Sequence, residues 1–269
     1  MQSVVERVAN RDTRRRSNRR ASVQAASVLV ALLAWWVVTA TGLLDENLVP
    51  APGSTVEWLR YFLTDPEGLN HIRVSMGELA GAFAMTLAIG LPLGYLLGEW
   101  GVKNRKVADV GNGTMMILLA TPKFVFLPVF LAAFGASYWQ KVLYVMLEGI
   151  IIVVLALIAA APQVTPQVRL LNRSLGASKW EFFSKFYFPA VLPSVVEAFR
   201  LSVILMMGGV LLAEMYISSA GIGFQMADWG QYYNLPGLFA AVLLVGIIVV
   251  LINGVFGVIE RRLDSWRIQ

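Results

Sequence analysis

The sequence predicts an all-α protein built from six membrane-spanning helices, and three observations carry that expectation. Of its 269 residues 57% are hydrophobic and only 14% charged, and the mean hydropathy is +0.66, a balance that belongs to membrane proteins. Apolar runs of about 20 residues, the length of helix that crosses a hydrocarbon core, recur along the chain. The basic residues then fall on one side of the topology those runs imply.

The expected spans are 24–44, 75–98, 110–134, 141–161, 195–217 and 237–258. Ahead of the first lies a basic arm, 1–23, with Arg7, Arg11, Arg14, Arg15, Arg16, Arg19 and Arg20. Its charge reads as a topology signal rather than a nucleic-acid or specific lipid patch. The arm is long for a signal-peptide n-region and "ATGLLDENLVP" has no small-x-small cleavage site, so removal is not expected. Lys103, Arg105 and Lys106 follow the second span, Arg169, Arg173, Lys179 and Lys185 the fourth, and Arg261, Arg262 and Arg267 the sixth. The opposite loops hold Arg60, Arg73 and Lys141, offset by Asp45, Glu46, Glu57, Asp65 and Glu67. Both termini, including the tail 259–269, are therefore expected in the cytoplasm.

The linker 45–74 is polar and proline-bearing, with an amphipathic stretch at 55–63 that Ser54 would cap, read as a helix lying on the outer interface. The core, 75–258, carries the other five spans. Span two has Gly90, Gly94 and Gly98 at four-residue spacing, which puts three positions without side chains on one face and permits a close helix contact. Span three contains Pro122, which should kink or break it, and broken helices expose polar backbone to a pathway. Lys123 beside it either faces that pathway or snorkels to an interface.

Ionisable groups at lipid depth are costly and mark pathways or partners. Glu78, Lys123, Glu148 and Glu214, with Pro122, are the pathway candidates; the alternative for Glu214 is an outer-interface carboxylate. Glu197 and Arg200, three apart, suit a local ion pair.

The loop 163–193, with "NRSLGASKWEFFSKFYFPAVLPS", is too polar to sit in lipid unaided. Ser174 or Ser178 can cap a short helix there whose aromatics, Trp180 and Phe183 among them, alternate with Lys179, Glu181 and Lys185. Pro189 and Pro193 are expected to stop it and turn the chain into span five.

Several chemistries are excluded. The chain has no cysteine and one histidine, His71, so neither a thiolate site nor a histidine metal cluster is expected. No G-x-x-x-x-G-K-[ST] loop occurs, so the chain itself should not bind or hydrolyse ATP, and an energy source must come from elsewhere.

At this point the residues resemble a family. "LGAS", an amphipathic run, then "FP" and "LP" ahead of a span are similar to the cytoplasmic signature of permease subunits of type I ABC importers. In that signature an E-A-A triplet precedes a glycine by three residues, and nine more lead to an aliphatic, any residue and Leu-Pro. Gly176 fits the glycine, Phe186 the aliphatic and Phe188-Pro189 the Leu-Pro. "LVPAPGSTVEWL", "TPKFVFLPVFLAAFG", "AEMYISSAGIGFQM" and "IERRLDSW" resemble the nitrate, sulfonate and taurine branch.

The resemblance implies the type I importer permease fold and a helix that couples the spans to a cytoplasmic ATPase, carried here by Ser174, Leu175, Gly176, Ala177, Ser178, Lys179, Trp180, Glu181, Phe183 and Pro189. It implies two ATPase subunits holding ATP and Mg, a second permease, the same or different, and a solute-binding protein. It also implies alternating access for a small anion. The triplet departs from the pattern: Leu170, Leu171 and Asn172 replace it, removing an acid expected to meet the ATPase. Glu78, where the branch often has arginine, and Glu148 leave neutral or cationic cargo open, a vitamin precursor for example. An ion-coupled secondary transporter, driven through Glu148 and Glu214, is the rival class.

Overall fold

The chain is described by a computed structural model at residues 23, 26, 27, 29–42, 48–164, 166–176 and 178–267. The arm at 1–22 and Ala177 lie outside the described residues, as do the flanks of the first expected span. What is described is helical, without a strand. Four runs are long and apolar enough to cross a membrane: Pro66–Lys103, Tyr138–Gln163, Lys179–Ile217 and Leu235–Arg262. A fifth candidate is a broken pair, Arg105–Ala120 and Lys123–Phe134, bent by 86°. The first expected span contributes a shorter apolar helix, α1 (Leu29–Ala40), whose Trp35 Nε1 donates to the Pro50 carbonyl.

Helix α2 (Pro52–Thr64) starts earlier than the sequence suggests, because Pro52 occupies the first turn; Ser54 does not cap it but donates to the Ala51 carbonyl. Nor does α2 lie only on an interface. Trp58, Tyr61 and Phe62 close around Trp229, with ring centroids 5.1, 5.9 and 5.3 Å away, so its apolar face is spent inside the protein.

Asp65 caps α3 (Pro66–Met85) by accepting from the Glu67 N–H at 2.9 Å. A π turn at Thr86–Gly90 then joins it to α4 (Leu91–Lys103). The glycine face of this run meets α7 (Tyr138–Ala160). A Cβ at Gly94 would lie 2.6 Å from Leu157, and one at Gly98 2.9 Å from Ala161, distances no side chain tolerates. Helix α7 is the central element, with thirteen buried residues and neighbours on most sides.

The break in span three falls at Thr121 and Pro122, between α5 (Arg105–Ala120) and a 3-10 turn, Lys123–Phe126, that leads into α6 (Leu127–Phe134). Pro122 cannot donate the bond that would continue α5, and the chain swings away.

After α7, helix α8 (Pro166–Ser174) and the short α9 (Lys179–Phe182) form the polar segment. The prolines do not stop it. A π turn at Phe183–Tyr187 runs directly into α10 (Phe188–Ile217), with Pro189 in the first turn and Pro193 inside. Pro189 follows Lys185 of the widened turn by four residues, the spacing at which a proline ring would clash in a regular helix, and the hydrogen-bond ladder is not regular there.

Helix α11 (Ile222–Gln231), which hydropathy alone passes over, packs between α10 and α12 (Leu235–Arg267). The expected Glu197–Arg200 pair is replaced by a tertiary one. Arg200 reaches α12, donating from Nη1 to Glu260 Oε2 at 3.0 Å and from Nε to Asn253, and so ties span five to span six.

Candidate functional site

Two polar constructions stand out from the apolar bundle. The first is the segment 166–189. Helix α8 ends in a turn where Gly176 has φ of 63°; a Cβ there would meet nothing, so the glycine is required by backbone conformation and not by space. Ser178 opens the next helix through a reciprocal cap. Its Oγ accepts from the Glu181 N–H at 3.2 Å, and its own N–H donates to Glu181 Oε2 at 3.0 Å. Glu181 Oε1 accepts in addition from Lys185 at 3.2 Å.

Arg169 clamps this segment to the bundle. It donates to both oxygens of Glu99 on α4 at 2.7 Å, to the carbonyls of Val164 and Ala161 at 3.1 and 3.2 Å, and lies over the Phe182 ring. Phe183, expected outside, instead packs edge-on to Tyr95 at 4.8 Å and holds α9 against α4. Trp180 is the outward aromatic, 72% exposed. Leu170, Leu171 and Leu175 are exposed too, so two of the three residues in place of the acidic triplet are apolar and outward, while the third, Asn172, is buried. Ser174 and Lys179 are exposed, as is Pro189.

The second construction is a buried polar lattice at the far end of the bundle. Ser75 Oγ donates to the Glu214 carboxylate at 2.7 Å and accepts from the Ile222 N–H at 2.8 Å. Glu214 Oε2 accepts from the Gly223 N–H at 2.7 Å. Lys141 forms an ion pair with Glu78 and donates to Ser218 Oγ at 2.9 Å. His71 Nδ1 accepts from the Gly221 N–H at 3.0 Å, which leaves the proton of the neutral ring on Nε2. Ser75, Glu78 and Glu214 are all within 1% of full burial. The lattice thus pins the turn after α10, residues 218–223, to α3 and α7.

The five residues expected on a pathway therefore separate. Glu78 and Glu214 sit inside this chain's own lattice. Pro122 marks the 86° break, where Lys123 Nζ donates back to the Leu119 carbonyl at 3.2 Å. Glu148, half-buried on α7, makes no hydrogen bond or ion pair among the described residues; its carboxylate faces Gly209 of α10, where a Cβ would come within 2.9 Å, and it feels the charge of Lys123.

Sequence reading missed Lys141, Ser75, Glu99 and Arg169 as site residues. The Arg169–Glu99 and Ser75–Glu214 contacts join residues 70 and 139 apart in the chain, and local spacing carries no signal for them. Among the described residues no group of three or more His, Cys, Asp or Glu is placed to hold a metal.

Comparison with known proteins accords with this architecture. The chain is 23% identical over 256 residues to the taurine transport system permease protein TauC of Escherichia coli, covering 93% of this chain and 91% of the relative. It is 24% identical over 247 residues to the nitrate import permease protein NrtB of Synechocystis sp., covering 88% of each. Its backbone matches a chain of the MetNI methionine ABC transporter, solved in inward-facing conformations, with a TM-score of 0.63 at 19% identity, over 74% of this chain and 99% of that one. The model of the binding-protein-dependent transport system inner membrane component family matches residues 90–267, the stretch that holds the glycine face, the broken span, the capped segment and most of the buried lattice. The chain is a multi-pass membrane protein of that family, in its nitrate, sulfonate and taurine branch of ABC importer permeases.

Proposed function

We propose that the chain forms half of the translocation pathway of an ATP-driven importer, crossing the membrane six times with both termini in the cytoplasm. Two ABC ATPases supply ATP and Mg chemistry from below, a second permease completes the pathway, and a solute-binding protein delivers cargo from outside. Transport proceeds by alternating access: closure of the ATPases draws the coupling segments together and reorients the spans.

The observation that carries this reading is the presentation of Trp180. The reciprocal cap at Ser178 and Glu181 and the Arg169–Glu99 clamp fix a short helix rigidly to the bundle, while the indole stands 72% exposed and Leu170, Leu171 and Leu175 of the preceding segment are exposed as well. Such a surface supports docking to a protein groove, with the leucines substituting apolar contact for the missing acid. Trp180→Asp is expected to leave insertion intact and to weaken capture of the cognate ATPase about thirtyfold, the loss of an anchor worth ~2 kcal/mol. Co-purification of the ATPase at wild-type yield, with cargo-stimulated hydrolysis unchanged, would remove the assignment. Uptake that continues without ATP and stops when the proton gradient collapses would favour the ion-coupled rival.

A small anion is the cargo the branch suggests. Glu148 favours a second reading, since a half-buried acid without a partner among the described residues suits a neutral or cationic solute better than an oxyanion. Under that reading Glu148→Gln lowers uptake of a cationic cargo about tenfold, one lost charge-assisted contact. Under the anion reading the same substitution leaves uptake unchanged or raises it, so substrate-resolved uptake separates the two.

A further inference from the structure

Between α4 and the coupling segment lies a cleft of about 1000 Å³. One wall is apolar, formed by Leu87, Leu91, Pro92, Leu96 and Trp100 of the π turn and α4, with Leu96 and Trp100 openly exposed. The opposite wall holds Trp180 and Phe183 with Asn172, 9% exposed, whose Oδ1 has no hydrogen-bond partner among the described residues. Lys103 and Lys179, both exposed, also line it. Arg169 is there too, but Glu99 takes up its charge at 2.7 Å, so among the described residues the uncompensated charge of the cleft is that of the two lysines.

An apolar wall, two free cations and one buried acceptor in want of a donor describe an amphiphile. We propose that this cleft is a binding site for an anionic phospholipid whose headgroup carries hydroxyl donors, phosphatidylglycerol in kind, drawn from the adjoining leaflet. Acyl chains lie along Leu87, Leu91 and Leu96, the phosphate pairs with Lys103 and Lys179, and a headgroup hydroxyl donates to Asn172 Oδ1. A buried acceptor left unpaired is costly, which is why the ligand must bring a donor as well as a charge. The chain's own arm, with seven arginines between Arg7 and Arg20, meets like charge at Lys103 and Lys179 and is the wrong occupant.

The absence of native cysteine makes the test direct. In purified full-length Leu96→Cys protein in detergent, maleimide labelling is followed while lipid is titrated. Phosphatidylglycerol is expected to protect at about fivefold lower concentration than phosphatidylmethanol, which is anionic but has no headgroup donor, and more again below phosphatidylcholine. Adding Asn172→Leu abolishes the difference between the two anionic lipids. Adding Lys103→Glu, at an exposed position that packing does not constrain, weakens both about fivefold. Equal protection by phosphatidylcholine, an undiminished preference in Asn172→Leu, or indifference to Lys103→Glu overturns the proposal. So does a disulfide from Ser17→Cys to Leu96→Cys, which gives the cleft to the arm, or protection by the ATPase alone.

Discussion

Lys141→Met destabilises the protein by about 3–5 kcal/mol, the cost of leaving a buried charge without its partner. Glu78 is 1% exposed and one of its oxygens, Oε2, already lacks a hydrogen bond among the described residues, so Lys141 is what makes the carboxylate tolerable between α3 and α7. The same ammonium donates to Ser218, and its loss releases one end of the turn after α10. Reversible unfolding in mixed micelles reads the effect, and a double-mutant cycle assigns it. Glu78→Met paired with Lys141→Met is expected to recover most of the loss, because two apolar side chains of similar volume replace an ion pair at little net cost. A single Lys141→Met variant within about 1 kcal/mol of wild type, the size of an ordinary surface effect, shows that the pair contributes nothing.

That pair also marks where sequence reading stops. The run of apolar residues in 141–161 announced a helix, and α7 spans Tyr138–Ala160. Its first basic residue was read as one more loop charge, because hydropathy assigns a residue a depth and says nothing about which helix it faces. Glu78 and Glu214 were legible as costly and therefore significant, yet each is satisfied from helices other than its own, Glu78 by Lys141 of α7 and Glu214 by Ser75 of α3 and the Gly223 N–H of α11. The pathway expectation treated each acid alone; pairing is a property of the fold.

Local chemistry was legible where a few adjacent residues decide it. Ser174 or Ser178 was expected to cap, and the structure settles on Ser178, in a reciprocal cap with Glu181; Gly176 sits at the positive φ that ends α8. Pro122 likewise breaks span three. Pro189 and Pro193 were misleading for a physical reason. A proline forbids a regular hydrogen bond at one position but does not forbid helix: Pro189 falls in the first turn of α10 directly after the irregular π turn at Phe183–Tyr187, and Pro193 is carried inside α10. Trp180 and Phe183 look equivalent in the sequence; only the placement of Tyr95 on α4 decides that one faces inward and the other out.

Gly221→Ala is expected to cost about 3 kcal/mol or more, from two separate sources. Gly221 has φ of 123° and ψ of 163°, a region that is essentially glycine's alone, and an L residue held there carries about 1–3 kcal/mol of strain. The added methyl would also collide with the Glu214 carboxylate, at a distance no relaxation of the backbone turn can open without moving one of the two. Displacing the carboxylate breaks its bonds to Ser75 and Gly223; displacing the turn breaks the Gly221 bond to His71. Either way a fully buried polar group loses its partner. Glu214→Gln in the same background keeps the collision and should not rescue, whereas Glu214→Ala removes the collision but also the acceptor of the Ser75 hydroxyl and the Gly223 N–H, so it should recover at most part of the loss and none of the backbone strain. Gly230→Ala is the control, since that residue lies in α11 with open space around the missing Cβ, and it should stay within about 1 kcal/mol of wild type. If Gly221→Ala unfolds no more readily than Gly230→Ala, the turn after α10 is not held in the buried lattice, and Ser75, Glu214 and His71 would need another role.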